Sequence, residues 1–179
     1  EATLAQLGLT ADALAQPTAT PIPALHAITR SFALSEHGSV DEATLTSEQL
    51  RVSLVHGTAP LDRMWAALTA ARAHLIAGRM RQALLWANDG LITADSASLV
   101  AGQALAVSLM AAAAAQVDDL AQVREAEALA ERLHDVRGFL RAERCVGRAW
   151  AAYIANEHSR ARQLLLDGAA AAARTGQAV

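Results

Sequence analysis

The chain has 179 residues, a formal net charge of −3 and a single cysteine, Cys145. Hydrophobic residues make up 53% but aromatics only 3%, so the apolar content is mostly alanine and leucine. That composition argues against a sheet protein, which draws on β-branched and aromatic residues, against bulk nucleic-acid binding through a basic surface, and against any intrachain disulfide.

Alanine has the best intrinsic helix propensity, with leucine and arginine close behind. The expected fold class is therefore all-α. The basic residues are all arginine, which reads first as a compositional bias and only second as an anion-binding surface. Every long apolar run is broken by Arg, Asp, Glu or Gln, so no segment is expected to span a bilayer. No signal peptide is visible, and a cytoplasmic location is expected.

In chain order, residues 1–16 predict a short helix, and Pro17, Pro21 and Pro23 a stiff connector. Residues 1–23 read as a lead-in, and 24–179 as a helical repeat domain. The first unit predicts helix A over 24–36 and helix B over 41–55, the second weakened by Thr44, Thr46 and Ser53. The second unit is clearer: helix A over 61–77, a stop at Gly78, and helix B over 80–93. The third predicts helices over 98–115 and 119–134, with Asp118 and Asp119 suited to a cap and first turn. The fourth predicts helices over 136–155 and 159–174, with Ser159 as N-cap and Gly176 as stop.

The breaks fall at Gly38, Gly78, Gln116 and Asn156, separated by 40, 38 and 40 residues. Five residues after each lies an alanine (Ala43, Ala83, Ala121, Ala161), and seven further lie Leu50, Gly90, Ala128 and Gly168. The small residue before each turn is Ser31, Ala71 and Ala149, with Leu109 breaking the rule in the third unit. A lone hairpin cannot bury both of its apolar faces, and stacking hairpins can. The expectation is a solenoid of about four antiparallel helix pairs with a period of about 38–40 residues. The alternative is a compact helical bundle.

Trp65, Ala71, Gly78, Ala83 and Gly90 in the second unit, echoed by Ala149, Trp150, Ala161 and Gly168 in the fourth, resemble tetratricopeptide repeats. The units are longer than the strict 34-residue repeat, and no proline closes them. Two stretches, 65–94 and 147–177, are similar in style to the helical-repeat region of large ATP-dependent LuxR-type bacterial transcription regulators, the family of the maltose regulator. The resemblance covers about residues 60–177. It implies a middle domain that senses an effector or partner protein, between a nucleotide-binding module and a helix-turn-helix. This sequence carries neither a G-x-x-x-x-G-K-[ST] loop nor a basic recognition helix.

Carrying the repeat's positions over implies a concave groove lined by the A helices. Its expected residues are Leu25, Ile28 and Phe32; Trp65, Leu68 and Arg72; Gln103, Ala106 and Met110; and Glu143, Val146, Trp150 and Tyr153. Trp65 and Trp150 would face one ligand or peptide site, unless both are core residues. Arg137, Arg141, Arg144 and Arg148 share one helical stripe and could hold an anion. The competing reading pairs them with Glu125, Glu127 and Glu131.

Glu131 and His134 form a lone E-x-x-H, where di-iron bundles need two. The histidines lack zinc spacing, and Cys145 reads as a small buried residue. No catalytic centre, metal or cofactor is expected. The expected partner is a protein or small effector in the groove, with a second copy of the chain as alternative. DNA would be reached only through another domain, and no membrane partner is expected.

Overall fold

The computed structural model of the chain describes residues 30–31, 33–34, 37–53, 59–133 and 137–174. Among these, seven helices follow one another: α1 (Val40–Ser53), α2 (Pro60–Ile76), α3 (Met80–Ser96), α4 (Val100–Gln116), α5 (Leu120–Arg132), α6 (Gly138–Ile154) and α7 (His158–Ala173). The described residues contain no strand, so the fold is all-α. None of these helices is long and apolar enough to cross a membrane. The lead-in over 1–23, the groove positions Leu25, Ile28 and Phe32, His134 and Gly176 lie outside the described residues. Arg30, Ser31, Ala33 and Leu34 are helical, within the span expected for the first A helix.

Local chemistry explains the starts. Pro60 opens α2 and Asp62 sits in its first turn. The Asp119 side chain caps α5 by accepting from the Gln122 amide at 3.1 Å. Ser159 is not a cap, since α7 begins one residue earlier, after Glu157. Helix α1 tolerates its hydroxyl residues because Thr44, Thr46 and Ser47 each donate to the carbonyl four residues back. Buried Ser31 donates to the Ala43 carbonyl as well, tying the preceding helical segment to α1.

The ends share one device. Gly38, Gly78, Ser98, Asp118 and Asn156 have φ of 82°, 74°, 55°, 55° and 60°. In each case the next residue's amide reaches back to the carbonyl five residues before it: Ser39 to Leu34, Arg79 to His74, Leu99 to Ala94, Asp119 to Ala114 and Glu157 to Ala152, at 2.7–3.0 Å. This is the Schellman closure, which needs one residue in the left-handed region.

The third break is thereby corrected. Gln116 is the last residue of α4, and the left-handed residue is Asp118. Asp and Asn accept that conformation through short polar side chains, whereas Gln has no such tendency. The left-handed residues 38, 78, 118 and 156 are separated by 40, 40 and 38. With this register the offsets hold at all four of these turns. Seven residues before each lie Ser31, Ala71, Ala111 and Ala149, all buried. Five after lie Ala43, Ala83, Val123 and Ala161, and twelve after lie Leu50, Gly90, Ala130 and Gly168, again all buried. Ala121 and Ala128, assigned to these roles from sequence, are exposed. Leu109 is no longer an exception, because Ala111 holds that position.

Substantial packing is of two kinds. Each helix packs on the next, and α2, α4 and α6 also pack on one another in a row. Helix α4 lies at the middle of the row and is buried from Ala106 to Ala115. The main core joins Met64, Leu68, Ala71, Trp86, Val107 and Met110. Where α2 meets α3, a Cβ on Gly90 would lie 2.5 Å from Leu68 Cδ2 and 2.9 Å from its Cγ. Leu68 is 1% exposed and has nowhere to retreat.

Gly90→Ala therefore sets overpacking of about 1–3 kcal/mol against a helix-propensity gain of about 1 kcal/mol. The expected result in urea denaturation is a net loss of stability. A more stable Gly90→Ala variant would contradict this close crossing.

Candidate functional site

The corrected register redraws the groove. The positions equivalent to Trp65, Leu68 and Arg72 in the third unit are Leu105, Ser108 and Ala112, not Gln103, Ala106 and Met110. Ala106 and Met110 are core residues, 0% and 1% exposed. Gln103 is half-buried and donates to Asp95 near the end of α3 at 3.1 Å. Leu68 faces α3 beneath Gly90 rather than a groove. Trp65 is half-buried against the main core.

Two of the expected groove residues do converge. Burial raises the pKa of Glu143 on α6, while a hydrogen bond from Ser108 on α4 and the charge of Arg72 on α2 oppose that rise. Ser108 and Glu143 thus form a polar clip between α4 and α6, on which the Arg72 charge acts from α2. Ser108 was missed because the sequence register stood two residues off, and its signal was a serine inside an alanine run.

The arginine stripe divides. Arg137 and Arg141 are exposed. Arg144 donates to the Leu133 carbonyl at 2.7 Å, just past the end of α5, and Arg148 meets Glu131 at 3.4 Å. Glu127 is instead held by Arg160 at 2.8 Å, which also bonds Glu157 at 2.7 Å. The inner half of the stripe thus joins α6 to α5. Cys145 is buried, and burial pushes its thiol pKa up. Among the described residues, no group of three or more His, Cys, Asp or Glu is placed to hold a metal ion.

A concavity lies between α6 and α7. It has a volume of about 300 Å³ and is lined by Val146, Ala149, Trp150, Tyr153, Ala161 and Leu165. Trp150 and Tyr153 meet edge to face, with centroids 6.1 Å apart, and Tyr153 also touches His158 at 5.4 Å. Trp65 does not line this crevice, so the two tryptophans expected to share a site do not share this one. Ala161 and Leu165 were not anticipated, because the B helices were assigned no part in the groove.

These six positions lie 10, 7, 6 and 3 residues before and 5 and 9 after left-handed Asn156. The same offsets from Asp118 give Ser108, Ala111, Ala112, Ala115, Val123 and Glu127, the first five no more than 7% exposed. From Gly78 they give Leu68, Ala71, Arg72, Leu75, Ala83 and Ala87, of which four are at most 1% exposed. In the last pair, Tyr153 and Leu165 are 54% and 51% exposed.

A separate feature lies where α1, α2 and α3 meet. His74 is 2% exposed, stacks on Trp86 at 6.4 Å and lies 3.4 Å from a Glu48 oxygen, with no hydrogen bond at either ring nitrogen. Burial lowers its pKa below 6.5; Glu48 opposes the shift and Arg79 adds to it. The unfolded chain therefore binds this proton more tightly than the folded one. The contribution is fully present above pH 6.5 and is lost as pH falls below that value toward the lowered folded pKa. Urea denaturation across this range should show stability falling with acidity, with a shallower slope in His74→Leu. An unchanged slope would remove His74 as the cause.

Comparison of the chain with family models, with curated proteins and with solved structures finds no match.

Proposed function

We propose that this chain is a tetratricopeptide-like array of about four antiparallel helix pairs that recognises a partner without catalysis. Two facts support the array. The same left-handed turn recurs at 38, 78, 118 and 156 with the same buried offsets. Among the described helices, substantial contacts reach no further than the next helix but one, as in a solenoid whose units touch only their neighbours. A closed bundle would bring its first and last helices together.

One observation carries the recognition reading: positions that are mostly buried at the same offsets in the second and third units line an open, aromatic-walled crevice in the last, where Tyr153 and Leu165 are exposed. Concave, mostly apolar surfaces of this size are what ligands and partner side chains fill. The crevice between α6 and α7 is thus a better recognition surface than the row of A helices, where Ser108 hydrogen-bonds Glu143 within reach of the Arg72 charge. In this reading the chain is the effector- or partner-sensing region of a bacterial transcription regulator of the ATP-dependent LuxR type. It works in the cytoplasm and reaches DNA only through another domain. The resemblance of residues 65–94 and 147–177 supports that assignment. Exposed Leu165 and Leu166 on α7 favour a second reading, a general scaffold or self-association module.

Anilinonaphthalene sulfonate, whose fluorescence rises in apolar crevices, tests the site. The folded wild-type chain should enhance the dye, and Leu165→Asp should lose most of that enhancement while keeping its helical circular dichroism. Equal enhancement by both proteins would reject the crevice as the recognition surface.

A further inference from the structure

Helix α1 is joined to the rest of the array by little apolar burial. No described residue of α1 belongs to the main core, which runs from Met64 on α2 to Ala130 on α5. Its substantial packing on another helix is on α2 alone. The described side chains that it buries are Ala43, Thr44, Ser47 and Leu50, and Leu50 is the one large apolar side chain among them. Thr44 and Ser47 bond carbonyls of α1 itself. Other polar ties of α1 lead to the helical residues just before it: Ser31 donates to the Ala43 carbonyl, and Arg30 bonds Glu42 at 2.8 Å. The bond from Arg79 to Asp41 at 2.7 Å does cross to the α2–α3 turn, but it lies at the surface, where ion pairs contribute little. A segment held in this way opens locally at a lower cost than the core behind it.

His74 sits under this weakly held helix. Trp86 on α3 covers one face of the ring, and Nε2 is turned toward Glu48 on α1. The ring is 2% exposed, and neither of its nitrogens has a hydrogen bond. We propose that His74 is a proton-sensitive latch: when its ring takes a proton, α1 and the helical residues tied to it release from α2, while the row of α2, α4 and α6 stays folded.

The surroundings of the ring set the direction. Docked α1 keeps the ring from water, and that burial disfavours the charged form. Two charged groups act on the ring besides. Glu48 from α1 favours the imidazolium, but its side chain is 51% exposed and water screens it. Arg79 from the α2–α3 turn disfavours it, and Trp86 from α3 brings no charge. Burial therefore prevails, and the docked pKa lies below 6.5. Release of α1 gives the ring back to water and restores its ordinary affinity for protons. The released form thus gains as pH falls below 6.5. The loss of stability already assigned to His74 is thereby localised to one end of the array, away from the crevice between α6 and α7.

Hydrogen–deuterium exchange of the full chain, read by mass spectrometry and corrected for the intrinsic effect of pH, tests the latch. Amides of α1 should lose protection below pH 6.5, by up to about tenfold per pH unit, while those of α4 keep theirs. His74→Leu should flatten the response of α1. Glu48→Gln removes the carboxylate that favours the charged ring, so it should deepen the response. Protection of α1 that stays constant or rises with acidity would overturn the proposal, as would an equal loss in His74→Leu. A loss shared alike by α1 and α4 would mean that the whole chain unfolds, and would overturn it too. Should His74→Leu fail to fold, Glu48→Gln decides: a response no deeper than that of the wild type overturns the latch.

Discussion

Five of the helical segments in this chain stop where one residue turns left-handed and the next amide reaches back five residues. Everything else follows from where those residues fall. The left-handed residue sets the phase of the helix before it and the helix after it. Residues at fixed offsets from it therefore face the same way in every pair. Because 38, 78, 118 and 156 are nearly evenly spaced, the small residues seven before, and the residues five and twelve after, are all buried. Small residues at these points let helices approach until backbone and side chain touch, as at Gly90 over Leu68.

The same phase determines which helix covers which pair. Helices α4 and α6 each lay one stripe into the crevice of the pair before them, and the polar clip of Ser108 and Glu143 joins two successive members of that row, with the Arg72 charge acting from a third. Burial alone disfavours a charged Glu143, so its carboxylate depends on the hydroxyl and guanidinium that the register brings to it. In the last pair the stripe is absent among the described residues, and Trp150 and Tyr153 stand where the preceding pair has Ala112 and Ala115. That contrast within one chain is what turns an apolar patch into a candidate recognition site.

Much of this was legible in the residues. Alanine and leucine richness announces the all-α class, and Gly38 and Gly78 announce two of the turns. Asp118 was harder, because an aspartate next to a second aspartate reads as a cap, and here Asp119 alone caps while Asp118 takes the left-handed turn. Placing the break at Gln116 moved the third unit by two residues, which put core Met110 in the groove and hid Ser108. His74 was invisible for another reason: nothing local marks a histidine whose burial arises from the meeting of three helices. The crevice itself needed α7, whose Ala161 and Leu165 look toward α6 only once the pair is formed.

The register at Asp118 is thus the point on which the account turns. Backbone NMR of the intact chain measures it directly, through amide–Hα couplings and Cα and Cβ shifts. The account predicts helical values through Gln116 and a positive φ at Asp118, matching those at Gly78 and Asn156. A left-handed Gln116 with Asp118 helical would contradict it, and with it the equivalence that leaves the last crevice open.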